Sequence, residues 1–196
     1  MFEVRIHGRG GQGVVTAAEM LSLAAFDEGR YAQAFPSFGS ERMGAPVVAF
    51  CRIDDHEIRT REPVMEPDAL IIQDATLLHQ VDVFGGCKPD GFILINTAKS
   101  FDELGLGDFV GDFQPERLLT VPASELARQR TGRAVANAAL LGGFAALSGL
   151  ISLDAVSRAI RERFAGAVAE GNVAAAQAAH TWVTDEVREL SGAAPA

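Results

Sequence analysis

Residues 2–25 join an alternating apolar run to a helix-period run through a cluster of glycines. Phe2, Val4 and Ile6 alternate with other side chains in the period of a strand. From Val14 onward Ala17, Ala18, Leu21 and Ala25 recur on one helical face. Between the two runs, Gly8, Gly10 and Gly13 fit G-x-G-x-x-G, with a strand before and a helix after. Glycines there allow a tight turn, let backbone approach backbone, and leave the first helix N–H groups free to hold an anion. The plain alternative is a turn that only packs the helix on the strand, and the motif alone leaves both readings open.

A dinucleotide site of the NAD type wants a carboxylate about 20 residues on, bonded to the ribose 2′-hydroxyl. The corresponding stretch, Tyr31 to Pro36, contains none, so NAD is disfavoured and other phosphorylated ligands stay open. A net charge of −9 over 196 residues argues against nucleic acid, whose backbone needs a basic surface. Cys51 and Cys87 are too few and too far apart for a zinc or iron–sulfur framework, and they read as core thiols. No apolar run approaches the roughly 20 residues of a bilayer span, and no signal segment precedes the first strand, so a cytoplasmic protein is expected.

The remaining pattern predicts an α/β fold, Rossmann-like, with a mostly parallel sheet, an added antiparallel hairpin and a helical C-terminal region. A short strand at Tyr31–Phe35 leads into a segment broken by Pro36, Gly39, Gly44 and Pro46. The run from Pro46 to Ile53 is β-rich, Asp54-Asp55 offers a turn, and Glu57–Thr60 is expected to return as its partner strand. Ala69–Ile72 and Phe92–Ile95 are continuous apolar runs suited to central strands, and Leu118–Val121 to a final one. Four alanine-rich helices are expected at 124–130, 135–147, 153–164 and 168–190, with Ser152 as N-cap of the third. One domain over 1–190 and a frayed tail at 191–196 follow, since no linker divides the chain.

Candidate chemistry centres on the glycine turn and on the loop from Pro36 to Pro46. Arg42 offers a bidentate donor to a carboxylate or phosphate, and Ser37 or Ser40 a hydroxyl; an exposed Glu41–Arg42 pair is the plain reading. Arg9 lies inside the glycine turn, where it either covers a phosphate or faces solvent. Arg59 and Arg61 suit a phosphate or, more simply, a charged sheet edge. Asp74 is a good N-cap, and Asn137, in an apolar helix, needs hydrogen-bond partners or a ligand. No histidine stands beside a nucleophile pattern, so neither catalytic nor metal-binding residues are expected in this chain.

Three segments together resemble a known family. Ile6-His7-Gly8-Arg9-Gly10-Gly11-Gln12-Gly13 and the residues to Glu19 are similar to the opening of gamma subunits of 2-oxoacid:ferredoxin (or other acceptor) oxidoreductases, the pyruvate enzyme among them. The stretches from Gln33 to Val47 and from Pro67 to Leu78 are similar to later family segments, in the same order, and the resemblance spans roughly residues 2–185. Met43 departs from the second arginine usual after the Glu-Arg pair.

The resemblance implies a subunit of an enzyme that converts a 2-oxoacid and coenzyme A to an acyl-CoA, carbon dioxide and a reduced acceptor. Thiamine diphosphate, magnesium and [4Fe-4S] clusters are then expected in partner thiamine-binding alpha and beta subunits and a ferredoxin-like iron–sulfur subunit. Ferredoxin or another acceptor would take the electrons. The gamma part packs on the thiamine-binding subunits and helps bind or gate coenzyme A, which needs no ribose 2′-hydroxyl carboxylate. Gly8, Arg9, Gly10, Gly11, Gln12 and Gly13, with Ser37, Glu41 and Arg42, are the expected contacts. A stand-alone module for a nucleotide-like ligand, or the small subunit of an indolepyruvate-type oxidoreductase, are the alternatives.

Overall fold

The computed structural model describes residues 1–37 and 43–192. In chain order the elements are β1 (Phe2–Arg9), α1 (Val14–Asp27), β2 (Tyr31–Pro36), β3 (Pro46–Asp54), β4 (Ala69–Ile72), a 3-10 turn (Ala75–His79) and β5 (Phe92–Asn96). There follow α2 (Gly107–Val110), a second 3-10 turn (Pro115–Arg117), β6 (Leu118–Val121), α3 (Ala123–Thr131), α4 (Asn137–Ser148), α5 (Leu153–Arg163) and α6 (Gly166–Leu190). The expected frayed tail falls largely on 193–196, outside the described residues.

The six strands form one sheet in the order β2-β3-β1-β4-β5-β6. β1, β4, β5 and β6 are mutually parallel, while β3 runs against both of its neighbours, β1 and β2. The antiparallel hairpin therefore joins β2 to β3, and the expected return strand at Glu57–Thr60 does not form. Its physical reason lies in the pairing. β1 takes one edge of β3 and β2 takes the other, so no backbone edge remains for a strand that follows it.

Alternation across β4 and β5 explains their unbroken apolar sequences. Ile71 and Leu94 face the main core, built with α1, α4, α5 and α6, whereas Leu70, Ile72, Ile93 and Ile95 face a second cluster. That second face is covered by the segments between β4 and β6, where Phe84, Phe109 and Phe113 stack in series. Strands buried on both faces carry no polar alternation. α4 is buried on all sides, and α6 crosses it so closely that Gly142 lies against the Ala176 carbonyl.

Candidate functional site

β1 ends in the glycine turn at the sheet edge where β4 and β5 also end, the edge that carries ligands in parallel α/β sheets. Gly11 (φ +92°) and Gly13 (φ +73°) adopt left-handed conformations open to glycine, and Gly13 caps α1 without any side-chain hydrogen bond. Gly10 donates to the Ala45 carbonyl (2.9 Å) and Gln12 to that of Arg9 (3.0 Å). The backbone N–H groups of Gly10 and Gln12, both expected contacts, are thus engaged internally. Gly11, Gly13 and the first turn of α1 supply the donors that remain, at the positive end of the helix.

Pairing of β3 with β1 answers how the loop from Pro36 to Pro46 meets this turn. Arg9 stands opposite Pro46, Gly44 donates to the Gly10 carbonyl (3.0 Å), and Met43 Sδ lies against Gly11. Ser37, exposed at the end of β2, donates its backbone N–H to Val48 (2.8 Å), and its side chain lines none of the cavities around the turn. Glu41 and Arg42, the other two loop candidates, lie outside the described residues.

Arg9 folds back over the turn. Its guanidinium reaches Asp74 Oδ2 (3.1 Å), the Gly44 carbonyl (3.1 Å), Thr76 Oγ1 (2.7 Å) and Gln80 Oε1 (2.9 Å). Gln12 locks the same corner: its Oε1 accepts the Arg9 backbone N–H (2.8 Å) and its Nε2 donates to Asp74 Oδ2 (2.8 Å). Asp74 also caps the following turn, accepting from the Thr76 N–H (3.0 Å) and hydroxyl (2.5 Å). Burial pushes the Asp74 carboxyl up, but the bonds from Thr76 and Gln12, with the Arg9 charge, outweigh it and hold it below its ordinary value. Arg9 and Gln12 therefore brace the turn rather than reach out of it.

The free basic groups come from elsewhere in the chain. A cavity of about 500 Å³ opens beside Gly11, Gly13 and Thr16, walled by the end of α3, the start of α4 and the α5–α6 junction. Arg130, Arg133 and Arg163 line it, with Asn137 and Asn172 deeper inside. Neighbouring Arg128 and Arg161 are paired with Glu125 and Glu170, whereas Arg130, Arg133 and Arg163 make no ion pair among the described residues. Asn137 Nδ2 donates to the Gly13 carbonyl at 3.5 Å, which ties α4 to the glycine turn. Three arginines lining one cavity with an uncapped helix N-terminus suit a multiply charged anion chemically.

A smaller cavity of about 180 Å³ adjoins it, lined by Gly11, Gln12, Gln73, Ser124 and residues 134–136. Gln73 follows β4 and is 3% exposed, yet neither its Oε1 nor its Nε2 has a hydrogen-bond partner among the described residues. Leaving such groups dry costs about 1–3 kcal/mol each. The arginine trio and Gln73 escaped the sequence reading. The arginines lie some 120–150 positions from the turn they face, and a Gln after an apolar strand carries no motif.

Cys51 is buried, with its thiol pushed well above the usual range, and burial raises Cys87 to about 11. Among the described residues no group of three His, Cys, Asp or Glu could hold a metal ion, and no helix is long and apolar enough to cross a membrane.

Residues 3–182 match the family described as pyruvate ferredoxin/flavodoxin oxidoreductase. The chain is 46% identical over 190 residues to pyruvate synthase subunit PorC of Methanothermobacter thermautotrophicus, covering 97% of this chain and 98% of that one. It is 48% identical over 179 residues to the pyruvate/ketoisovalerate oxidoreductases common subunit gamma of Thermococcus kodakarensis, covering 91% and 95%. Among solved structures it resembles the pyruvate oxidoreductase subunit PORC of Thermotoga maritima, with a TM-score of 0.77 and 34% identity over 92% of this chain and 95% of that one.

Proposed function

The chain belongs to the pyruvate ferredoxin/flavodoxin oxidoreductase family, as a subunit of the gamma type, and on that premise we propose that it holds coenzyme A by its phosphates within a thiamine-dependent 2-oxoacid oxidoreductase. The reading is carried by Arg130, Arg133 and Arg163 around the glycine turn, which make no ion pair among the described residues, in a chain whose net charge is −9. Coenzyme A carries a pyrophosphate and a separate ribose phosphate. Gly11, Gly13 and the α1 N-terminus suit the one, and guanidinium groups at the cavity rim suit the other. Arg42 and Glu41, which lie outside the described residues, are proposed as further contacts from the family resemblance alone.

In this division of labour the chain supplies no acid, base or nucleophile. Thiamine diphosphate with magnesium would sit in the thiamine-binding alpha and beta subunits and [4Fe-4S] clusters in a ferredoxin-like subunit, with electrons leaving to ferredoxin or another acceptor. This chain binds and orients the acyl acceptor, so that the thiol meets the acyl group only when the phosphates are seated. Positioning of this kind appears in KM for the acceptor rather than in the chemical step.

The test uses the assembled complex, purified anaerobically and assayed for pyruvate oxidation. Arg130→Gln, Arg133→Gln and Arg163→Gln should each raise the KM for coenzyme A about 10- to 100-fold, the worth of one charge-assisted bond. The kcat should stay within about twofold, with the KM for pyruvate unchanged. Arg42→Ala should act in the same direction. Unchanged coenzyme A kinetics in all four variants would remove the site from this chain.

A further inference from the structure

Gln73 is held from behind and free in front. Its backbone N–H donates to the His7 carbonyl (2.7 Å) and its carbonyl accepts from Asn96 Nδ2 (2.8 Å), so its main chain is fixed at the end of the strand. Its Oε1 lies against Gly8, where a Cβ would stand 3.2 Å away. Gln73 thus carries an unused donor and an unused acceptor, both buried, in the wall of a cavity of about 180 Å³. Ser124 lines the same cavity, and its Oγ accepts from Asn96 Nδ2 (2.8 Å), which leaves the hydroxyl proton to be given.

That volume exceeds the roughly 30 Å³ share of a single water several-fold. Gly11 and Val135 stand in its wall and also in the wall of the arginine-lined cavity, so the two cavities are adjacent. A neutral donor and acceptor, beside a hydroxyl donor, the engaged amide of Gln12 and otherwise apolar walls, complement an amide and leave a charge poorly solvated. We propose that this cavity seats an amide of the ligand's arm, with Gln73 Nε2 donating to its carbonyl, Gln73 Oε1 accepting an N–H, and Ser124 Oγ as the second donor. The inference rests on the coenzyme A reading: the amide-bearing pantetheine arm leads away from the phosphates, which the arginines hold. Gln73 is then a determinant of the acceptor's arm, independent of its charge.

Two fragments separate this inference from the reading beneath it. D-pantetheine carries the arm without the phosphates, and adenosine 3′,5′-bisphosphate carries phosphates without the arm. Both are tested as competitors of coenzyme A in the assembled complex. Gln73→Leu should raise the KM for coenzyme A and the inhibition constant of pantetheine about tenfold, equivalent to about 1.4 kcal/mol. It should leave the inhibition constant of the bisphosphate within about twofold. Gln73→Glu keeps the shape and removes the amide donor, so it gives the same split if the leucine variant fails to assemble. Pantetheine that does not compete, or that competes equally well in both variants, would overturn the proposal and assign the cavity to water. A bisphosphate that fails to compete, with a pantetheine effect intact, would instead sink the phosphate reading and leave the amide site standing.

Discussion

Arg5 donates from Nε to Nε2 of His7 at 3.0 Å, with both side chains buried in the layer beneath β1. The same guanidinium bonds the carbonyls of Val83 (3.1 Å) and Gly85 (2.6 Å), so it pins the segment after β4 to the sheet. His7 can accept this bond only as the neutral ring with its proton on Nδ1. Burial first, and the Arg5 charge second, lower its pKa from 6.5 to about 4.

A pH dependence of stability follows. Between pH 6.5 and about 4 the unfolded chain binds a proton at His7 that the folded chain refuses. This stability is therefore complete above pH 6.5 and is lost as pH falls towards 4, up to roughly 3 kcal/mol. Urea unfolding across that window should show a steeper loss for the native chain than for His7→Gln. Parallel pH profiles would count against it.

Asp74 binds Arg9 and Gln12 on one oxygen and Thr76 on the other. Asp74→Ala should cost about 2–3 kcal/mol, the worth of charged hydrogen bonds, and raise the KM for coenzyme A several-fold by loosening the turn. Asp74→Asn keeps the cap on Thr76 and should recover part of both, read by thermal unfolding and by acceptor kinetics of the complex.

At Gly13 a side chain meets two obstacles: φ is +73°, and a Cβ would lie 2.6 Å from Asn137 Nδ2. Gly13→Ala should lose about 2–3 kcal/mol from strain and crowding together. Pairing it with Asn137→Ala removes the crowding alone, so the double variant should be more stable than the sum of the single losses implies. Strict additivity in thermal unfolding would contradict this coupling.

Adjacent glycines of α4 should respond differently to the same substitution. A Cβ on Gly142 would stand 2.0 Å from the Ala176 carbonyl oxygen, which is backbone, and α6 would have to move. A Cβ on Gly143 would stand 3.3 Å from the ends of Leu94 and Val183 and in ordinary contact, at 3.8 Å, with the Ala179 carbonyl oxygen. Gly142→Ala should cost about 3 kcal/mol or more, while Gly143→Ala should be near neutral, helped by about 1 kcal/mol of helix propensity. Denaturant midpoints of the two variants decide it.

Local periodicity made most elements legible. β1, β4, β5 and β6 and the four C-terminal helices fall within a few residues of their expected places, because each apolar period reports which face is buried. The expected return strand at 57–60 failed for the opposite reason. Pairing depends on which edges are free, and β3 had none left. β1 shows the same limit at residue scale, since its alternation hides that Arg5 and His7 are themselves buried under a later segment.

The sequence by itself determined that a strand, a glycine turn and a helix open this chain, and that the turn can lie open to an anion. Backbone conformation and side-chain period are properties of near neighbours, which a linear text contains. Tertiary structure decided what faces that turn. It spent Arg9 and Gln12 on Asp74, brought Arg130, Arg133 and Arg163 to the helix N-terminus, and left the amide of Gln73 without a partner. These outcomes depend on sheet order and on helices packed across more than a hundred residues, and only the folded chain brings those groups together.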